Sequence, residues 1–307
     1  MRSGANMDRR RFLGTAGLGL TVLSGALGRV ADHWPKLTIL QTNDTHSRID
    51  PFPMDGSRNQ GLGGIARRKV LVDRIRGREE HTLLVDSGDM FQGTPYYNLY
   101  GGEVEIEAMN RVGYDVATVG NHEFDNGIAG LEKTMPLARF EWVSSNLDWS
   151  GAKSLAPLVK PWTIREIGPF KVGLFGVLCE LKGMVASHNH VGVTYLDPVE
   201  SARRSVAELK ARGCNLIVCL SHMGYRTRYE GEQMRDDRFP AQVEGIDLVL
   251  GGHSHTFLDD LVALPRKGGG VTRVTQQGWA GMRLGRVEVR LKRGDGLAMR
   301  QDPVVVA

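Results

Sequence analysis

The chain has 307 residues, with 39 Lys+Arg against 35 Asp+Glu, 41% hydrophobic and 24% charged, a composition that excludes a disordered, fibrous or polytopic membrane protein. The formal charge is +4, and the whole excess lies in residues 1–31, where Arg2, Arg9, Arg10, Arg11 and Arg29 face Asp8 alone. The remainder is neutral and has no basic stripe, which argues against a nucleic-acid polymer as partner.

At the start, Arg9-Arg10-Arg11-Phe12-Leu13 leads into a weakly apolar, Gly-rich stretch from Leu13 to Gly28. That run is shorter than the roughly 20 residues of a membrane span. A charged head, an apolar middle and small residues at Ser24-Gly25-Ala26 or Ala26-Leu27-Gly28 are the layout of an export signal. The arginine pair before Phe-Leu resembles the twin-arginine type, although Asp8 stands where Ser or Thr is usual. Residues 1–31 are therefore expected to be a signal segment. The protein is then exported or periplasmic, meets the twin-arginine machinery, and keeps no stable membrane span after cleavage.

From residue 32 onward, apolar runs alternate with helical spacing. Leu37–Leu40 predicts a strand, followed by a polar loop to Gly64 and a helix over Ile65–Arg76. Thr82–Val85 predicts a strand, Val104–Arg111 a helix, Val116–Val119 a strand, Gly127–Leu137 a helix and Trp142–Ser145 a strand. Val172–Leu178, Leu216–Leu220 and Ile246–Leu250 continue the strands, with Val199–Ala211 helical among them. Arg273–Gln277 and Leu284–Leu291 read as β without an intervening helix. Alternation of this kind implies a mostly parallel sheet covered by helices. The β-rich end and two sizeable apolar sets point to two packed sheets sandwiched between helices. With no repeat or linker, residues 32–307 are expected to form one domain.

Three cysteines do not make a disulfide framework. Cys214 and Cys219 are expected as buried thiols on opposite faces of a strand. His33, His81, His188 and His190 fit no motif and read as surface.

The polar residues after each strand carry the chemistry. They are Asn43-Asp44-Thr45-His46, Asp86-Ser87-Gly88-Asp89, Gly120-Asn121-His122-Glu123-Phe124-Asp125, Ser221-His222 and Gly251-Gly252-His253-Ser254-His255. Five of the nine histidines lie in them. Sites in open α/β sheets form at the carboxyl ends of strands, so these segments can converge. Singly, Asp44 or Asp89 can cap a turn, Asn121 can hold one, and His222 can be a hydrogen-bonded core histidine. Together, carboxylate, imidazole and amide oxygen without thiolate form a ligand set for hard-to-borderline divalent metals, sufficient for two ions.

In order and spacing, Asp44-x-His46, Gly88-Asp89, Gly120-Asn121-His122-Glu123, the His222 segment and Gly252-His253-x-His255 resemble the calcineurin-like metallophosphatases. The flanks Gln41–His46 and Asn121–Asp125 resemble the 5′-nucleotidase branch. The resemblance covers about residues 36 to 291. It implies an α/β, four-layer metallophosphatase fold of two packed mixed sheets between helices. It also implies one metal held by Asp44, His46, Asp89 and His255, and another by Asp89, Asn121, His222 and His253. Asp89 is then the bridge, while His122, oriented and kept protonated by Asp125, faces the substrate phosphate as the catalytic pair.

The implied activity is in-line hydrolysis of small phosphate monoesters, nucleotides among them, with two divalent ions of manganese, zinc or iron. Cyclic-nucleotide or phosphodiester hydrolysis, thiosulfate-type ester hydrolysis and a non-catalytic metal-dependent binding role remain alternatives. Members of this branch carry a C-terminal domain that grips the nucleobase. Only closing strands are expected after His255, so broad choice of leaving group is the expectation. Phe91-Gln92-Gly93-Thr94, Asn146 and Gln277-Gly278-Trp279 are weaker candidates, as pocket lining or as core.

Overall fold

Two mixed sheets stack face to face, and their shared edge carries the polar segments. The structure is a computed structural model that describes residues 34–226, 233–292 and 296–307. Residues 1–31, expected from the sequence as a signal segment, and His33 lie outside the described residues. Residues Trp34–Ala307 form one compact unit. No helix among the described residues is long and apolar enough to cross a membrane.

The first sheet runs in the order Leu297–Gln301, Arg283–Leu291, Lys36–Thr42, Thr82–Asp86, Val116–Thr118, Glu141–Val143 and Val159–Lys160. Its members from Lys36–Thr42 onward are parallel, and Arg283–Leu291 joins them antiparallel. The second runs Val262–Pro265, Val271–Gln276, Leu248–Gly251, Leu216–His222, Phe170–Leu178 and Trp162–Ile167, with four parallel inner strands and antiparallel edges.

Strand alternation divides each apolar run between two cores. Leu37, Ile39, Leu83 and Val85 meet Leu216, Val218, Leu220, Leu248 and Leu250 between the sheets. Leu40 and Leu84 point the other way, onto Val72 and Ile75 of the helix Ile65–Arg76 and Ile106 and Met109 of Glu103–Val112. On the far side, Ile217, Cys219 and Val249 pack on Val199, Ala202, Val206 and Leu209 of the helix Pro198–Ala211. The result is four layers: helices, sheet, sheet, helix. Burying each such side chain is worth about 1.5–3 kcal/mol.

Some expectations shift. The helix over Gly127–Leu137 stops being α at Thr134 and continues as a 3₁₀ turn over Met135–Leu137, because Pro136 has no N–H to donate. Cys214 and Cys219 do not face opposite ways. Cys214 precedes the strand, is only half-buried, and packs on the same helix-facing cluster as Cys219. Several elements escape the apolar pattern, among them the short helix Pro95–Tyr100 and the edge strands Trp162–Ile167, Val262–Pro265 and Leu297–Gln301. Of the histidines read as surface, His188 is exposed, whereas His81 and His190 are half-buried.

Candidate functional site

Strands from both sheets end at one place, and side chains lock them there. Gln41 Nε2 donates to Gly251 O at 2.9 Å, and Ser87 Oγ donates to Leu250 O at 2.8 Å. The loops that leave these strands are backbone-strained. Asp44, His46, Asp89, His253 and His255 all have φ between 46° and 72°, a left-handed region that non-glycine residues occupy at a cost and chiefly at functional sites.

The strain aims donors at common points. Asp44, His46 and His255 offer ligand atoms within 4.8 Å of one another, and so do Asp89, His222 and His253; His122 joins His46 and Asp89 in a third such set. His46 Nε2 lies 2.9 Å from His255 Nε2, and His255 Nε2 lies 3.4 Å from Asp44 Oδ1. His222 Nε2 lies 3.0 Å from Asp89 Oδ2, and His253 Nδ1 is 2.9 Å from Asn121 Oδ1. All nine residues expected at the site are therefore gathered there, with Asp125 behind His122 at 2.8 Å.

Hydrogen bonds orient the rings. His222 Nδ1 donates to Ser87 O at 2.7 Å and His46 Nδ1 to Phe91 O at 3.3 Å, so each ring turns its Nε2 inward. The buried His222 Nε2 faces the Asp89 carboxylate, and the two facing Nε2 atoms of His46 and His255 need a proton or a cation between them. Asp44 and Asp89 are also almost wholly buried, and buried carboxylates require a compensating cation. A divalent-metal centre fits this donor set.

Burial lowers the pKa of His46, and together with the His222 charge it lowers His253 to about 4, the neutral form that coordinates metal. Burial opposes charge on His122 as well. There the Asp125 hydrogen bond and the Asp89 carboxylate win, and the pKa rises to about 9. Asp89 is buried too, yet the neighbouring His222 holds it below the ordinary carboxylate range.

Residues not singled out from the sequence hold the loops in place. The Glu123 carboxylate accepts from the backbone N–H groups of Asp89 and Met90 at 2.9 Å, of Phe91 at 3.2 Å, and of Gly120. Asn43 Nδ2 donates to Asp44 Oδ2 at 2.6 Å and Gly278 O at 2.7 Å, and its Oδ1 accepts from Gln277 N. Both stand inside the quoted motifs, which is the signal that marks them. Asn146 and Phe91 prove structural. Asn146 pairs with both backbone groups of Leu178, and Phe91 is buried against Tyr97. Trp279 stacks on His255.

A family model for calcineurin-like phosphoesterases matches residues 37–257. The chain is 35% identical over 229 residues to the snake venom 5′-nucleotidase of Gloydius brevicauda, covering 73% of this chain and 37% of that one. It is 34% identical over 246 residues to the 5′-nucleotidase of Homo sapiens, covering 78% and 41%. Among solved structures, a 5′-nucleotidase precursor from Thermus thermophilus superposes with a TM-score of 0.80 at 34% identity, over 88% of this chain and 54% of that one. The chain thus spans well under two thirds of the length of these relatives.

Proposed function

The chain belongs to the calcineurin-like phosphoesterase family, and from that premise we propose that it is a metal-dependent hydrolase of small phosphate monoesters, 5′-nucleotidase-like in its choice of substrate. The observation that carries this reading is the convergence of two buried carboxylates and four imidazoles on common points, beside a histidine kept protonated by its own carboxylate. In this reading Asp44, His46, Asp89 and His255 hold one divalent ion and Asp89, Asn121, His222 and His253 the other. Such ions supply Lewis-acid stabilisation of charge on phosphoryl oxygens and a nucleophile from water at neutral pH.

The chain's own residues do the rest. His122 presents a protonated ring nitrogen to the phosphoryl or leaving oxygen, neutralising charge there and donating a proton as the ester bond breaks. Asp125, on Nδ1, fixes the ring and keeps the proton on it. Glu123 holds residues 89–91 so that Asp89 faces both ligand groups. Residues 1–31 are taken as a twin-arginine export segment and 32–307 as the catalytic domain, which puts the reaction outside the cytoplasm; the Arg9–Leu13 pattern supports this.

The test is a screen of metal-reconstituted protein against nucleoside monophosphates, aryl phosphates, cyclic nucleotides, diesters and thiosulfate esters. Turnover of monoesters is expected. Turnover confined to diesters, cyclic nucleotides or sulfur esters overturns the monoester reading, and no turnover with any of them overturns the enzymatic one.

A further inference from the structure

The four imidazoles assigned to metal differ in what steadies them. His46 and His222 each rest a second ring nitrogen on a carbonyl, while His253 meets Asn121, assigned to the same ion. His255 has no such partner among the described residues. Its side chain is 39% exposed and its backbone is left-handed at φ 52°. A ligand that is both exposed and unanchored is expected to swing. Instead the Trp279 indole lies parallel to the imidazole within 8°, with ring centroids 5.8 Å apart.

Trp279 is itself held from several sides. The edge of Phe52 meets its ring at 5.8 Å and 73°, and the Arg48 guanidinium sits 4.1 Å over Phe52. The flanking backbone is tied to the loops that carry the ligands. Gly278 N donates to Thr256 O at 2.9 Å, Ala280 N donates to Asp44 O at 2.7 Å, and Gly278 O accepts from Asn43. The indole is thus a fixed wall whose position is referenced to Asp44 on one side and to the residue after His255 on the other.

We infer that Trp279 is a positioning residue for His255, its stacked face replacing the hydrogen bond that orients His46 and His222 and so setting affinity at the metal position formed by Asp44, His46 and His255. The inference rests on the reading of His255 as a ligand. A stack fixes the plane of a ring but leaves the Nδ1 tautomer free, so this position is the more exchangeable of the two. Loss of a group that orients a ligand typically weakens metal binding by roughly 10- to 100-fold.

The experiment titrates Mn²⁺ alone into the metal-free chain and into its Trp279→Ala, Trp279→Phe, Trp279→Leu and His255→Ala variants, following bound metal by electron paramagnetic resonance and folding by thermal melts. Trp279→Ala and Trp279→Leu are expected to weaken one of the two sites by about 10- to 100-fold and to leave the other unchanged. His255→Ala should affect the same site. Trp279→Phe, which keeps a flat face, should bind like the parent. Should Trp279→Ala fail to fold, Trp279→Leu decides, because it keeps bulk without a ring. Parent-like binding in the Ala and Leu variants overturns the inference, as does a Phe variant as weak as they are. A parent chain that binds no Mn²⁺ in this titration, nor Zn²⁺ or Fe²⁺ in a parallel one followed by calorimetry, overturns the metal-centre reading itself, which separates the two failures.

Discussion

His222 Nε2 lies 3.0 Å from Asp89 Oδ2, with both side chains buried; His222 ends a strand of one sheet and Asp89 lies in the loop that leaves a strand of the other. The site exists only where the sheets are docked, so the apolar layer between them is a precondition for the chemistry. The two groups assigned to metal each span the seam, taking Asp44 or Asp89 from loops of the first sheet and His253, His255 or His222 from strand ends and loops of the second.

Asp89 is the residue on which both groups depend. Its Oδ2 faces His222 and lies 4.0 Å from His46, while its Oδ1 accepts from His122 N at 2.9 Å. Asp89→Asn is expected to cut activity more than His46→Ala or His253→Ala, and to lower bound metal at both positions. Steady-state kinetics beside metal analysis checks it; two metals per chain with near-normal turnover in Asp89→Asn would remove the bridging role.

His122 is expected to separate chemistry from metal binding. Its Nδ1 is engaged by Asp125, which together with the Asp89 carboxylate overcomes burial and raises its pKa to about 9. His122→Ala should retain the parent metal content while kcat falls by about 10²- to 10⁴-fold, the usual contribution of a positioned acid. Metal loss in this variant would make it a ligand.

The five strand-end segments are legible in the sequence because each follows an apolar run, and parallel strands buried on both faces leave no other place for His46, Asp89 or His253. What holds them was harder to read. Glu123 sits in the same motif as His122, but nothing in a linear pattern says that its carboxylate turns back onto the N–H groups of residues 89–91. Trp162–Ile167 reads as polar because it is an edge strand, half-exposed along most of its length. Asn146 looked like pocket lining, yet a buried amide satisfies a strand backbone equally well, and here it does so at Leu178. Trp279 joins the site through a loop distant in sequence, and only the fold brings it to His255.

Glu123 supplies the next test. Burial raises its pKa to about 7, with the Asp89 charge adding to the effect. Glu123→Gln keeps the shape but turns an NH₂ group toward backbone donors, leaving buried N–H groups unpaired at about 1–3 kcal/mol. A lower melting temperature and weaker metal retention are expected together. A variant that melts like the parent would show that residues 89–91 are held by other contacts.

A stability test with a definite pH sign comes from Glu288, away from the site. Its side chain is 3% exposed among Arg286, Arg300 and Lys36, and the Arg300 hydrogen bond keeps its pKa below the ordinary value. A depressed folded-state pKa contributes stability above the unfolded value and loses it as pH falls through the folded one. Glu288→Gln should therefore destabilise by about 1–3 kcal/mol near neutrality. The gap between parent and variant should narrow below about pH 4. Melts at neutral and acid pH check both, and a gap that widens on acidification refutes the assignment.

Gly252 isolates space from backbone freedom. A Cβ at this position would stand 2.8 Å from His222 Nδ1, 2.9 Å from Ser87 O and 3.2 Å from Asp44 Oδ2. Its φ is not positive, so alanine meets no conformational obstacle there, and any effect of Gly252→Ala comes from crowding alone. The added methyl presses on the hydrogen bond from His222 Nδ1 to Ser87 O that fixes the ring. Overpacking of this kind costs about 1–3 kcal/mol. Because the methyl crowds His222 Nδ1 and its partner Ser87 O more closely than Asp44 Oδ2, metal should be lost first from the group that contains His222 and His253. Metal stoichiometry under graded chelation, read beside the melting temperature, distinguishes this from general destabilisation. Parent-like retention of both metals in Gly252→Ala would mean that the ring tolerates the shift, and the tight contact would then be a packing feature without a role in holding metal.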